Sequence, residues 1–119
     1  MTMAIPTRTW YLAAAVTLAA SGYIHAQLYT GGYRYIHVVG ALFLVQAAAS
    51  LALAVLLLVG AVYRPSGIVP LGAALTALGA LVGFLASRTV GVFGFTERGL
   101  QPAPQALLSI LAEVATLAL

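Results

Sequence analysis

From Val38 to Val62 the chain runs through apolar residues without a single charge, interrupted in polarity only by Gln46 and Ser50. A run of that length belongs either in the core of a large soluble domain or in a bilayer, where about 20 apolar residues are enough to span the hydrocarbon. A chain of 119 residues cannot build so large a soluble core. Its composition agrees: 63% hydrophobic residues, 6% charged residues and a mean hydropathy of +1.09 leave too little charge to cover a water-facing surface. Lipid requires every backbone hydrogen bond to be satisfied within the chain, which helices do. The expected fold class is all-α, an integral membrane four-helix bundle with antiparallel up-down topology, forming a single transmembrane domain over residues 1–119.

The first span is expected from about Trp10 to Tyr29, with aromatic residues at both ends, where the two bilayer interfaces would lie. A cleavable signal peptide is the competing reading, because Arg8 precedes the apolar run and Ala19-Ala20-Ser21-Gly22 supplies small residues. The run is long for a signal core, which favours the spanning helix. The second span covers about 35–63, and Thr30-Gly31-Gly32-Tyr33-Arg34 supplies the tight turn of an antiparallel hairpin. Arg64-Pro65-Ser66-Gly67 then turns the chain into a third span, about 68–87, with Pro70 in the first turn, where a missing N–H costs little. Gly72, Thr76, Gly79, Gly83 and Ser87 share one face of that helix, and Gly79 to Gly83 is a GxxxG spacing. Such a face is expected against a close helix neighbour within the bundle, with a homodimer seam as the alternative. Residues 88–101 are too rich in glycine for a helix and too aromatic for a solvated loop, so an interfacial segment is expected there. The fourth span, about 103–119, is short for a bilayer at about 1.5 Å per residue.

The net charge of +3 comes from five arginines against two glutamates, with no lysine. Isolated arginines between spans anchor loops and do not make a basic patch, which excludes nucleic acid as a partner class. The absence of cysteine removes disulfides, thiolate metal sites and iron–sulfur clusters. Arg8 and Arg64 fall on one side of the expected bundle and Arg34, Arg88 and Arg98 on the other, so the arginine count alone does not orient it. Since the second group sits among polar and acidic neighbours suited to a site, the N-terminus is placed in the cytoplasm, with the chain multi-pass in the inner (plasma) membrane.

Each span carries polar residues at helical spacing: Thr17, Ser21 and His25 on the first, Gln46 and Ser50 on the second, Thr76 and Ser87 on the third, and Gln105, Ser109, Glu113 and Thr116 on the fourth. These stripes should turn inward, because an unpaired amide or carboxyl in hydrocarbon is costly. Serine and threonine can bond to their own helix backbone. Glu113 cannot be explained so cheaply. By helical rise it lies roughly 14 Å beyond Pro104, and Gln46 lies at similar depth counted from Tyr35, so the two are expected as partners near the midplane. An intramembrane carboxyl is a functional candidate by default, although a Glu–Gln clamp between helices would serve structure equally well.

A second polar group gathers toward the hairpin end: His25, Tyr33, Arg34, His37, Arg88, Glu97 and Arg98. Two imidazoles invite a metal or haem. Helical geometry at about 100° per residue turns His37 half a revolution from Gln46, however, so both histidines cannot face one core. His25 is the leading ligand candidate and His37 the weaker one, with interfacial hydrogen bonding the plainer reading of each. Glu97 paired with Arg88 or Arg34 would pin residues 88–101 over the hairpin, and the same charges could hold an anionic ligand or a lipid headgroup.

The run from His25 to Gln46, His-Ala-Gln-Leu-Tyr-Thr-Gly-Gly-Tyr-Arg-Tyr-Ile-His-Val-Val-Gly-Ala-Leu-Phe-Leu-Val-Gln, resembles the hairpin of a group of small, uncharacterised four-helix integral membrane proteins common in high-GC Gram-positive bacteria. Their pattern is roughly H-x-x-L-[WY]-x-x-G-Y-R-x-I-x-x-x-G-x-L-F-L-x-Q. Gly91-Val-Phe-Gly-Phe-Thr-Glu97 and the helix bearing Glu113 are similar to the second half of the same group. The resemblance implies that His25, Tyr33, Arg34, Gly40, Phe43, Gln46, Phe95 and Glu97 matter together. The group has proline where this chain has His37, which counts against a shared paired-histidine cofactor. No activity comes with the resemblance.

These features rank the functional classes. A non-enzymatic accessory or structural subunit of a larger membrane complex comes first, on small size and close-packing glycines, with the lipid bilayer and other membrane subunits as partners. The alternatives are a haem- or metal-binding electron-transfer protein using His25, and a proton-coupled transporter or sensor using Glu113, Gln46 and His25. No nucleophile, base and orienting acid can be assembled from these residues, so catalysis stands last.

Overall fold

The computed structural model describes residues 7–63, 68–92 and 94–118, and these form four α-helices: α1 (Thr7–Thr30), α2 (Val39–Val62), α3 (Ile68–Arg88) and α4 (Gln105–Ala118). A short 3-10 turn over Tyr33–Tyr35 links α1 to α2, and the described residues contain no β-strand beyond an isolated bridge between Val92 and Phe95. The turn expected at Arg64-Pro65-Ser66-Gly67, the contribution of Phe93 to the interfacial segment and the end of the fourth span at Leu119 lie outside the described residues.

α2 and α3 are each long and apolar enough to cross a membrane, and little of either is covered by the rest of the chain. α4 is apolar but has 14 residues, which at helical rise is about 21 Å. α1 and α2 run antiparallel: Arg8 Nε donates to the Ala61 carbonyl at one end (3.0 Å), and the His25 and Phe43 rings meet at the other. Between those points Tyr11, Ala14, Ala15 and Leu18 of α1 bury against Ala54, Leu57 and Ala61 of α2, with Ala73 of α3 completing the cluster. Small side chains let the backbones approach, so the contact is made by many short van der Waals pairs. α4 lies on the other flank of α1, and α3 joins α2 through Leu53 over Gly72 and Gln46 over Thr76. The helices thus form a ring in chain order, with α2 and α4 on a diagonal and out of contact among the described residues.

The second helix starts later than the expected residue 35. Gly32 takes a φ of 144°, the 3-10 turn follows, and Val38 sits at φ 63° with the Val39 N–H reaching the His37 carbonyl across a tight three-residue turn. That conformation is uncommon for a β-branched residue, and α2 propagates only beyond it.

The glycine face of α3 also departs from expectation. Gly72 packs on the Leu53 side chain, but a Cβ at Gly79 or Gly83 would meet nothing within 4 Å. The first half of the face is packed and the second half opens onto a cavity. Alanine at either position is therefore expected to stabilise the helix, by roughly 0.5–1 kcal/mol each from reduced backbone entropy, in denaturation of the detergent-solubilised protein. A loss of stability at either site would show a close neighbour that this fold does not contain.

Candidate functional site

Ser109 and Glu113 are one turn apart on α4 and so share a face, which the ring order turns toward α1. Across that contact Ser21 is fully buried and Glu113 is 2% exposed. Ser21 Oγ donates to Glu113 Oε2 at 2.7 Å and Ser109 Oγ donates to the same oxygen at 2.6 Å. One turn further along, the Thr17 and Thr116 hydroxyls meet at 2.8 Å, so the polar stripes of α1 and α4 are joined over successive turns. His25 continues the α1 stripe. Its Nδ1 lies 2.8 Å from the Ser21 carbonyl and 3.8 Å from Glu113 Oε2. A carbonyl oxygen can only accept, so Nδ1 carries the hydrogen, and whenever the ring is neutral the lone pair is on Nε2.

Gln46 does not pair with Glu113. Its Nε2 donates to the Thr76 carbonyl at 3.0 Å and reaches Ser50 Oγ at 3.4 Å. The expected Gln46–Glu113 clamp fails because depth along a helix does not choose a partner: α2 and α4 are diagonal, and the space between them is a cavity of about 300 Å³ bordered by His25, Gln46 and Glu113. The open glycine face of α3, at Gly79 and Gly83, forms part of its wall, and Phe43 borders it beside His25.

The segment after α3 closes the other end. Tyr33 Oη donates to Glu97 Oε1 at 2.5 Å, while the Tyr33 ring contacts Phe43 and Phe95 at centroid distances of 4.7 and 5.7 Å. The Glu97 N–H returns to the Ser87 carbonyl at 3.0 Å. Arg88 Nε donates to the Gly99 carbonyl (2.9 Å), Nη1 to Ser87 Oγ (2.7 Å) and Nη2 to the Gln101 carbonyl, with the guanidinium 4.0 Å from the Phe84 centroid. The expected latch of Glu97 on Arg88 or Arg34 is thus replaced by Glu97 on Tyr33, because loop carbonyls occupy Arg88 and the exposed Arg34 turns to Tyr35 Oη (2.7 Å). Residues 88–101 fold back over the bundle end through these bonds.

Of the residues singled out from the sequence, His25, Tyr33, Gln46, Arg88, Glu97 and Glu113 all border one cavity. Arg34 and His37 are exposed and do not. His25 joins the deep carboxyl and not the shallow group in which it was expected. The two histidines are not brought together, and the described residues hold no group of three His, Cys, Asp or Glu able to share a metal ion. Ser21 and Ser109, which hold Glu113, belong to stripes legible in the sequence, but nothing there marked them as its partners.

Burial, then the hydrogen bond to Glu97 and the charge of that carboxylate, push the Tyr33 phenol well above its ordinary value, against the opposing pull of Arg88. The fold favours the neutral phenol, so this contact contributes fully below the ordinary tyrosine pKa of about 10 and is lost as pH rises toward the raised value. A difference phenolate titration between the protein and Tyr33→Phe should place the Tyr33 midpoint above that of free tyrosine. A midpoint at or below the free value would dissolve the Tyr33–Glu97 bond.

Comparison of the chain with protein-family models, with curated proteins and with solved structures finds no match, so function is read from its own residues.

Proposed function

We propose that this chain is a multi-pass integral membrane protein of the plasma membrane, N-terminus cytoplasmic, in which Glu113 with His25 and Gln46 forms a proton-exchanging site inside the bundle. It acts without catalysis, as a proton-coupled carrier or sensor. One observation carries this reading: Glu113 is 2% exposed and has Oε2 fixed by two serine hydroxyls, yet no hydrogen bond from a described residue reaches Oε1. That oxygen is left accessible at the cavity, where a proton can be gained or lost. The cost of burying it is understandable if its proton is exchanged. Support for membrane insertion comes from the apolar length of α2 and α3 and from outward residues such as Val55, Leu71 and Leu85, all more than half exposed.

A second reading, an accessory or structural subunit of a larger membrane complex, is favoured by α3, whose described buried residues are only Ala73, Ala77 and Ser87. Other membrane subunits would cover the rest. The resemblance to small four-helix membrane proteins is compatible with either reading.

Infrared difference spectroscopy of the protein in liposomes tests the first reading. A protonated-carboxyl band that titrates with pH is expected, lost in Glu113→Gln and retained in Glu97→Gln. Should Glu113→Gln leave every pH-dependent band in place, the proton site is refuted and the subunit reading takes over, to be checked by native co-purification.

A further inference from the structure

Three side chains beside the cavity each leave one hydrogen-bonding atom uncommitted. Gln46 Nε2 is committed to the Thr76 carbonyl, which fixes the amide orientation and leaves Oε1 without a bond from any described residue. His25 Nδ1 is committed to the Ser21 carbonyl, which leaves the Nε2 lone pair. Glu113 commits Oε2 and leaves Oε1. Once Glu113 has released its proton, three acceptors, from α2, α1 and α4, therefore border one space. Of the donors around it, Ser21 and Ser109 are engaged on Glu113 and Tyr33 Oη on Glu97, while Arg88 spends three of its five N–H groups on Gly99, Ser87 and Gln101.

With Glu113 ionised, an anion or a carbonyl-bearing guest would find these acceptors facing its own. A guest that brings donors and positive charge fits. We propose that the cavity binds a compact organic cation, a primary ammonium on an apolar or aryl body, in exchange for the proton of Glu113. This rests on the reading of Glu113 as a proton-exchanging site and names what exchanges with the proton. At about 300 Å³ the cavity stands at the small end of ligand sites and takes a single or fused ring system. Phe43 beside His25 adds an aromatic ring able to attract an ammonium. The ionisable and charged side chains bordering the space are His25 from α1, Glu113 from α4, Arg88 from α3, and Tyr33 and Glu97 from the connecting segments; α2 contributes none among its described residues. With Glu113 ionised, two carboxylates stand against one guanidinium, which favours a cationic guest over an anionic one.

The exchange balances. The ammonium enters with its charge, the Glu113 carboxyl releases one proton to solvent, and the carboxylate formed pairs with the N–H donors of the guest, so the charge inside the cavity is unchanged. Proton and ammonium compete for the same oxygen, so affinity rises with pH.

The test uses the full chain in detergent micelles, titrated calorimetrically with 1-naphthylmethylammonium, its neutral isostere 1-naphthylmethanol and the anion 1-naphthoate, in buffers of different ionisation enthalpy. The ammonium is expected to bind at least about tenfold more tightly than the alcohol, with naphthoate not binding and close to one proton released per ammonium bound. Glu113→Gln should weaken the ammonium by about tenfold or more and abolish both proton release and the pH dependence. Gly83→Leu, which fills the open wall, should abolish ammonium binding while the protein still melts cooperatively. Equal binding of alcohol and ammonium, preference for naphthoate, or an ammonium affinity unaltered in both variants overturns the proposal. If the Glu113 infrared band titrates in the empty protein but the ammonium neither binds nor shifts it, the cation is wrong and the proton site stands. Absence of the band overturns the proton site first, and the exchange with it.

Discussion

Gly40→Ala should destabilise the folded chain by about 3 kcal/mol, the upper part of the range for overpacking a site with no room to relax. A Cβ at this position would lie 2.7 Å from the carbonyl oxygens of both Tyr33 and Arg34. These are backbone atoms, so no rotamer change can accommodate it. The carbonyls belong to the 3-10 turn that carries Tyr33, and the Gly40 N–H itself bonds the Ile36 carbonyl at 2.9 Å. Moving the turn off α2 would pull Tyr33 from Glu97 and release the segment that closes the cavity. Gly22→Ala is the milder comparison: its Cβ would come within 2.9 Å of Leu51 Cγ and 3.0 Å of Ser50 Cβ, side-chain atoms that a small separation of α1 from α2 would relieve. Denaturation in detergent micelles measures both. A Gly40→Ala protein as stable as the parent would mean that the turn does not rest on α2 as described.

Glu113→Ala should cost about 3 kcal/mol, whereas Glu113→Gln should cost about 1 kcal/mol or less, because the amide oxygen can still accept from both serines. Alanine removes the acceptor shared by Ser21 and Ser109 and leaves a void where a 2%-exposed side chain stood. The two hydroxyls can turn back to their own helix carbonyls, which moderates the loss. Pairing the variants separates structure from the proposed function: glutamine keeps the fold and removes the proton that the proposed site would exchange. Equal stability of the alanine and glutamine proteins would show that the serine pair contributes nothing to the α1–α4 contact.

Much of this arrangement could be read from local pattern. The third helix was expected over about 68–87 and occupies Ile68–Arg88, since Pro70 and Arg88 mark its ends directly. The stripes Thr17-Ser21-His25 and Ser109-Glu113-Thr116 were legible because a period of 3.6 puts each on one helical face. The start of α2 was not, because Tyr35 to Val38 looks like any helical stretch until Gly40 must fit beneath two carbonyls of the preceding turn. The GxxxG spacing was equally visible, yet spacing describes a face and not its occupant: Gly72 received Leu53 while Gly79 and Gly83 received open space.

Glu113 shows the division most sharply. Residue order alone determined that the chain would be helical and strongly apolar, that polar residues would fall in stripes, and that a carboxyl would sit far along the last helix, since helical period and hydropathy are properties of neighbouring residues. Only the tertiary structure decided that Glu113 meets Ser21 and His25 and not Gln46. Partner choice depends on which helices share an edge of the ring, and that order is set by the summed packing of α1 against both α2 and α4, with α2 and α4 left facing each other across the cavity.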